Sequence, residues 1–413
     1  MSVLFRSNSQ QRFTDDARIL ASSLPLARRP MFVASYSSMY GIATVTAPLM
    51  GGAFTDRLTW RWCFFINLPF GAITLVVICF FFASPAQPSQ EILSPTEKLK
   101  QFDISGTAVL IVGIACLLLA LQWGGSRYDW SNARIIALLT LFGVSAVVFV
   151  LIQFWKGEYA TVPPRIFKKR SVAFSAWHVF AAGAAMNVLE YFLPIWFQAI
   201  KGVSALNSGI RILPTIFGVV VFSYIAGFGV SRLGYYTPFM IIGSAFLSIG
   251  CGLITSWQPS SSVGQWVGYQ ILLGAGGGLA IQQAHSAAQT VLKPADVPTG
   301  AVVIIFAQIL GGTLFISTAQ SVLDNRLSHG LRASVPQVNP KVVLAVGATR
   351  LQHVVGPQYL PLVLKVYNRA LTQTFYVAVA LAVVSMVGAL GTEWRSVKKP
   401  AVVVDVDVTV VNA

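Results

Sequence analysis

The chain has 413 residues, 55% of them hydrophobic and only 10% charged, with a mean hydropathy of +0.68. Ordinary soluble domains carry roughly 25% charged residues, so a water-soluble core is excluded and the chain reads as an all-α polytopic membrane protein. The net charge of +15 does not point to nucleic acid, because the 29 basic residues are spread over short loops and build no single basic face.

Residues 1–31 contain Arg6, Arg12, Asp15, Asp16, Arg18, Arg28 and Arg29 and no apolar run of signal-peptide length, so targeting falls to the first span itself. Cutting at charges and at Pro, Gly and Ser clusters then predicts ten spans, at roughly 32–54, 62–82, 104–122, 135–155, 173–197, 209–229, 238–256, 265–287, 298–320 and 371–391. Leu233 to Leu292 is the plainest stretch: sixty residues without Lys, Arg, Asp or Glu, enough for two helices of about 20 residues each, divided at the turn formers of "QPSSSVG". Continuous apolar runs, not alternating segments of about 10 residues, argue against a β-barrel.

With the N-terminus in the cytosol, the inner segments carry 17 Lys and Arg against 6 in the short outer loops, which places both termini inside. Three connections are long: 83–103, 156–172 and an outer loop over 321–370. In the last, Asn339 before Pro340 predicts a helix start. Leu360, Val363, Leu364 and Tyr367 share a helical face, which predicts an outer helix on the membrane surface or capping the protein, interrupted as a span by Lys365 and Arg369. Cys63, Cys79, Cys116 and Cys251 lie in or beside apolar runs without CxxC spacing and read as small buried hydrophobes; no metal site or cofactor is expected.

The first two predicted spans include "YGIATVTAPLMGGAF" and "WRWCFFINLPFG". Gly41, Ala47, Gly51 and Gly52 are small residues of which several fall on one helical face and allow close helix approach, while Pro48 permits a bend. This pair of segments resembles the fifth and sixth helices of fungal drug:proton antiporters of the major facilitator superfamily. Ala47 stands where that family usually has Gly in its antiporter motif. Further matches include "TVPPRIFKKRSV", "LPIWFQAIKGVSALNSGIRILP", "VYNRAL" and "EWRSVK", and the resemblance runs from Leu26 to Lys399. It implies a major facilitator-like bundle from which the first four of fourteen helices are missing. The implied divisions are 1–31, a segment unlike the family; 32–83, a two-span remnant of the N-terminal bundle; 84–170, a cytosolic linker with two central spans; 171–391, a C-terminal six-helix bundle; and 392–413, a cytosolic tail.

Glu190 is the only acidic residue well inside a predicted span, with Asn187 one turn earlier and Pro194 one turn later on about the same face. An ionised carboxylate near the bilayer centre costs about 2.5–3.5 kcal/mol on insertion scales, so it faces a cavity or a partner. Two readings stand: Glu190 titrates in proton-coupled export or draws in cationic substrates, or it stays protonated or paired within the bundle. The glycines of "GAGGGLAIQQAHSAAQ" follow no strand, and Leu279 occupies the third position of a dinucleotide fingerprint, so they read as helix packing. Gln282, Gln283, His285 and Gln289 follow, and Gln308 lies in the next span. Uncharged amides suit a large cavity. By resemblance Gln282, Gln283 and Gln308 fall near the family's central pathway, with helix-to-helix hydrogen bonding as the competing reading; His285 either titrates or is simply hydrogen-bonded. Trp177, Tyr191, Trp196 and Phe197 either add apolar area to a binding cavity or pack in core or lipid, and Arg211 is expected to snorkel from an outer span end.

The resemblance implies proton-coupled export of small amphipathic molecules such as drugs, toxins or fungal metabolites, by a monomer in the plasma or vacuolar membrane. Its partners would be the small-molecule substrate, protons and membrane lipid. The alternative is a transport-inactive fragment or gene-model artefact of such a carrier. With no Ser-His-Asp set, His cluster or metal spacing, an enzyme is not expected.

Overall fold

The computed structural model describes residues 61–81, 103–125, 128–293, 296–346 and 355–398, with Leu351 and a few isolated positions between 35 and 59. Among them lie nine long helices: α1 Asn67–Phe81, α2 Ile104–Trp123, α3 Ala133–Lys156, α4 Arg170–Lys201, α5 Leu213–Leu233, α6 Thr237–Ile254, α7 Val263–Val291, α8 Val297–Ser334 and α9 Leu360–Gly391. No strand occurs among the described residues, as the continuous apolar runs require.

Seven helical segments, containing α2–α6, α8 and α9, are long and apolar enough to cross a membrane. The expected count of ten is therefore not met among the described residues. The span at 62–82 appears as a turn, Trp62–Phe65, followed by the shorter apolar helix α1, and the span at 32–54 lies almost wholly outside the described residues. The predicted span at 265–287 is α7. With 29 residues it is long enough, but Gln270, Gln283, His285 and Gln289 dilute its apolar character, and it is tolerated because α4, α5, α6 and α8 surround it.

The largest correction concerns the outer loop over 321–370, both ends of which belong to long helices. Helix α8 runs unbroken from Val297 to Ser334, and α9 begins at Leu360, eleven residues before the expected start of the span. Polar residues moved the predicted ends, yet charge does not break a helix when the side chains find partners. Gln320 Nε2 donates to Asp324 Oδ1 over 2.8 Å, and Asn325 Nδ2 donates to the Ser321 carbonyl over 2.7 Å, both four residues apart on α8. The expected surface helix is instead the first turns of α9: Val363 is fully buried and Tyr367 nearly so, packed against the core and not lying on a membrane. The helix start after Asn339 is present as Pro340–Val346.

Helices α7, α8 and α9 pack on α4, whose centre carries Ala182, Ala184, Ala185, Val188 and Leu189 in the core, while α5 and α6 pack on α7. The glycine run of α7 explains how so many helices meet. An added Cβ at Gly274 would strike the Thr215 carbonyl oxygen and one at Gly278 the Val219 carbonyl oxygen, both on α5; one at Gly276 would strike the Leu247 backbone nitrogen on α6. One at Gly277 would sit 3.0 Å from Met186 Sδ on α4. Successive small residues thus serve three neighbours, the packing reading of that run. Helices α2 and α3 form a hairpin outside this bundle, largely exposed along their length, which in a bilayer is a lipid-facing surface.

Two of the cysteines, Cys116 and Cys251, are buried as expected, but Cys63 is only partly covered and Cys79 is exposed on α1; all four are free thiols. Arg211 does not reach free into solvent: its guanidinium lies over the Phe197 ring at 5.7 Å and the Trp266 ring at 6.0 Å.

Candidate functional site

Asn187 and Glu190 sit one turn apart on α4, on a side that faces α8. Asn187 Nδ2 donates to the Gly183 carbonyl over 2.7 Å, and an added Cβ at Gly312 of α8 would lie 2.9 Å from that same nitrogen. The reverse contact is equally close: a Cβ at Gly183 would lie 2.8 Å from Gln308 Cγ. Each helix thus supplies a glycine to make room for an amide of the other, which brings Asn187 and Gln308 into one seam.

Gln308 in turn hydrogen-bonds the His285 side chain of α7. Three helices therefore contribute one residue each, Asn187, Gln308 and His285, to a polar seam in an otherwise apolar interior, in which Gln308 and His285 are the hydrogen-bonded pair. Gln282 lies on about the same side of α7 as His285, half-buried and without a hydrogen bond among the described residues. Gln283 does not join them. At 100° per residue it faces roughly away from His285, it is buried, and its Oε1 accepts no hydrogen bond. Gln289 is buried one turn beyond His285.

Glu190 stands apart from the Gln308–His285 pair. It is the twenty-first residue of α4 and His285 is six residues from the end of α7 on the same side of the bundle. At 1.5 Å per residue they differ by about 20 Å in height. The Glu190 side chain is half-buried, and among the described residues it has neither a hydrogen bond nor an ion pair. The paired-carboxyl reading of Glu190 therefore has no partner among the described residues, which leaves a carboxyl that titrates or one that stays protonated.

Of the aromatic candidates on α4, Trp196 and Phe197 are fully buried in a cluster with Trp257 and Trp266, whereas Trp177 and Tyr191 are 46% and 49% exposed. Gly41, Ala47, Pro48, Gly51 and Gly52 lie outside the described residues. Sequence reasoning passed over His178, which is wholly buried on α4. Its Nδ1 lies 3.0 Å from the Ser385 carbonyl oxygen of α9, and its Nε2 has no hydrogen-bond partner among the described residues. The rule that singled out Glu190, a titratable group inside an apolar run, applies to "SAWHVF" as well.

At the end of the bundle where α4 and α8 begin, polar contacts fix the connection from α3 to α4. Asp103 caps α2 by accepting from the Gly106 N–H over 2.8 Å, and also accepts from Gln153 Nε2 over 2.8 Å, the Thr161 N–H over 3.2 Å and the Thr161 hydroxyl over 3.0 Å, with Lys156 Nζ at 3.2 Å. Burial pushes its carboxyl up, but these hydrogen bonds outweigh it and hold the group well below the usual carboxylate range. Arg165 forks onto both oxygens of Asp296, at 2.7 and 2.8 Å, and donates to Glu158 over 2.8 Å.

A seam of amides between helices of an apolar bundle is a feature of carriers, and comparison with known proteins decides the family. A profile of the Major Facilitator Superfamily matches residues 17–316. The chain belongs to the major facilitator superfamily. It is an integral, multi-pass membrane protein with an almost entirely helical fold. Among relatives, the MFS-type efflux pump MFS1 of Arthroderma benhamiae is 48% identical over 380 residues, which span 92% of this chain and 71% of that protein. Efflux pump roqT of Penicillium rubens is 48% identical over 388 residues, 94% and 72% of the two chains. The Aspyridones efflux protein of Neocamarosporium betae is 44% identical over 382 residues, 92% and 68%. Family and relatives point to a transporter and not to an enzyme.

Proposed function

We propose that this chain is an exporter of small amphipathic molecules, drugs, toxins or secondary metabolites, driven by inward proton flow. The observation that carries the reading is Glu190, a carboxyl inside an apolar helix with no partner among the described residues, one turn from Asn187, which shares the α4–α8 seam with the Gln308–His285 pair. An acid in that position exchanges its proton with whichever side the cavity opens to, while the amides of Asn187, Gln282 and Gln308 offer hydrogen bonds to varied cargo without charge desolvation. Gln283, buried on another face of α7, serves helix packing or a separate pocket. That these relatives are efflux proteins supports export as the direction of transport.

In this reading both termini are cytosolic, the carrier is a monomer in the plasma membrane or the vacuolar membrane, and 171–391 works as a six-helix unit joined to 32–83 through the central hairpin of 84–170. The segment with Gly41, Ala47, Pro48, Gly51 and Gly52 acts as the bending seam of the first span, which rocking of bundles about a central site needs.

The test is accumulation of a dye or toxin in a pump-deficient fungal host that expresses the chain at its surface, measured from about pH 5 to about pH 8. Wild type lowers accumulation most at acidic external pH, and Glu190→Gln flattens that dependence. Unchanged accumulation with the wild type at confirmed surface expression rejects export; an unaltered pH profile in Glu190→Gln rejects Glu190 as the coupling group.

A further inference from the structure

We propose that Lys168, Lys169 and Lys293 form a binding site for an anionic phospholipid headgroup at the end of the bundle where α4 and α8 begin. The three ammonium groups are exposed and make no hydrogen bond or ion pair among the described residues. The carboxylates around them are already taken. Asp296 gives both its oxygens to Arg165, Glu158 accepts from the same guanidinium, and Glu393 pairs with Arg395 at 2.6 Å. Arg170 is engaged as well, donating to the Gly391 carbonyl over 2.9 Å.

These lysines converge on one spot although they are far apart in sequence. The double hydrogen bond from Arg165 to Asp296 ties together the two stretches that carry them: Lys168 and Lys169 follow Arg165 by three and four residues, and Lys293 precedes Asp296 by three. Lys168 is the neighbour of Lys169 at the foot of α4. Arg165 and the three lysines carry four positive charges against the two carboxylates of Asp296 and Glu158, so the patch keeps a positive excess of two.

Its position selects the partner. Arg170 and Val297 are the first residues of two membrane-spanning helices, so the patch lies where hydrocarbon meets headgroups. Phe167, 45% exposed between Arg165 and Lys168, adds an apolar side chain at that level, which suits acyl chains and not a soluble anion. A compact ammonium is a point charge that a phosphodiester or a serine carboxylate can share among several lysines. Basic clusters beside membrane-spanning helices attract anionic lipid in this way.

The experiment uses the full chain, purified in a mild neutral detergent and titrated with fluorescent phosphatidylserine and, separately, with fluorescent phosphatidylcholine. The serine lipid binds more tightly, and added salt weakens it. At about fivefold per lysine, Lys168→Gln/Lys169→Gln/Lys293→Gln loses about a hundredfold in affinity for it while phosphatidylcholine binding stays unchanged. Lys168→Arg/Lys169→Arg/Lys293→Arg keeps most of the affinity. If the triple Gln variant does not fold, as read by far-ultraviolet dichroism, Lys293→Gln alone decides with a loss of about fivefold. Equal binding of phosphatidylserine by wild type and folded variant overturns the proposal. So does full displacement of the labelled lipid by millimolar inorganic phosphate, which would make the patch a site for soluble phosphate.

Discussion

Gly388 of α9 backs onto His178 of α4 so closely that a Cβ at position 388 would sit 2.7 Å from the His178 backbone nitrogen and 2.8 Å from its Cα. Three residues earlier on the same helix, the Ser385 carbonyl oxygen meets His178 Nδ1 at 3.0 Å. The close approach and the hydrogen bond depend on each other, because only a residue without a side chain lets the helix come near enough for the imidazole to reach a backbone carbonyl. Gly388→Ala therefore forces α9 outward and breaks the bond, at about 1–3 kcal/mol. Thermal unfolding in detergent measures it. Gly252→Ala is the control, since its Cβ would meet nothing within 4 Å; equal losses in both variants would refute the close-packing account.

Asp103 joins the start of α2 to the end of α3 and to Thr161 beyond it, and its substitution should loosen all three. In Asp103→Asn the new amide nitrogen faces donors where a carboxylate oxygen accepted, and the Lys156 charge loses its partner. Leaving such buried groups unmatched costs about 1–3 kcal/mol. The pH dependence has a definite sign. The folded carboxyl lies below its unfolded value, so the stability it adds is complete above about pH 4 and drains away as pH falls through the folded value. Unfolding midpoints followed down to low pH should fall more in wild type than in Asp103→Asn, and parallel curves would sink the claim.

The Arg165 fork is a weaker bond than its geometry suggests, since the Arg165 side chain is half exposed to screening solvent. Asp296→Asn should cost no more than about 1 kcal/mol, and the cost should shrink in high salt. Arg165→Lys should lose as much, because a point charge cannot fork onto two carboxylate oxygens. A charge reversal, Arg165→Asp with Asp296→Arg, should recover part of the loss if the pair and not the individual side chains holds the connection. Melting temperatures of the three variants at two salt concentrations check this.

Most of the helix inventory was legible because lipid leaves long apolar runs in the sequence, and a run such as "ISGTAVLIVGIACLLLALQW" allows no other reading. Helix ends were less legible. Charges marked where the apolar runs of α8 and α9 end but not where their hydrogen-bonded backbones stop, and the bonds from Gln320 to Asp324 and from Asn325 to Ser321 carry α8 onward. The polar chain divides in the same way. Glu190 and Asn187 announce themselves as polar residues on one face of one helix. The meeting of Gln308 with His285 depends on the relative height of α7 and α8, which no local pattern encodes. The resemblance sets Gln283 beside Gln282 near the central pathway, whereas neighbours in a helix point about 100° apart.

Asn368 of α9 is a further residue whose role shows only in three dimensions, and it offers the sharpest stability test. Its Oδ1 accepts from Trp196 Nε1 over 2.7 Å and its Nδ2 donates to the Trp257 carbonyl over 3.0 Å, so one amide joins α4, α9 and the turn after α6. Around it Trp196 and Trp257 lie 4.7 Å apart, Phe197 packs on Trp257 at 5.6 Å, and Lys201 sits over the Trp196 ring at 5.7 Å. Asn368→Leu fills a similar volume but strands a buried indole N–H and a buried carbonyl, each worth about 1–3 kcal/mol when unmatched. Trp196→Phe removes the indole donor instead and strands the Asn368 oxygen. Because each single change leaves the other partner unsatisfied, the double variant should cost clearly less than the two single losses added together. Thermal melts give the energies, and tryptophan emission, shifted to longer wavelength in Asn368→Leu as water reaches the cluster, reports the local opening. Strict additivity would mean that the 2.7 Å bond contributes nothing to holding these helices together.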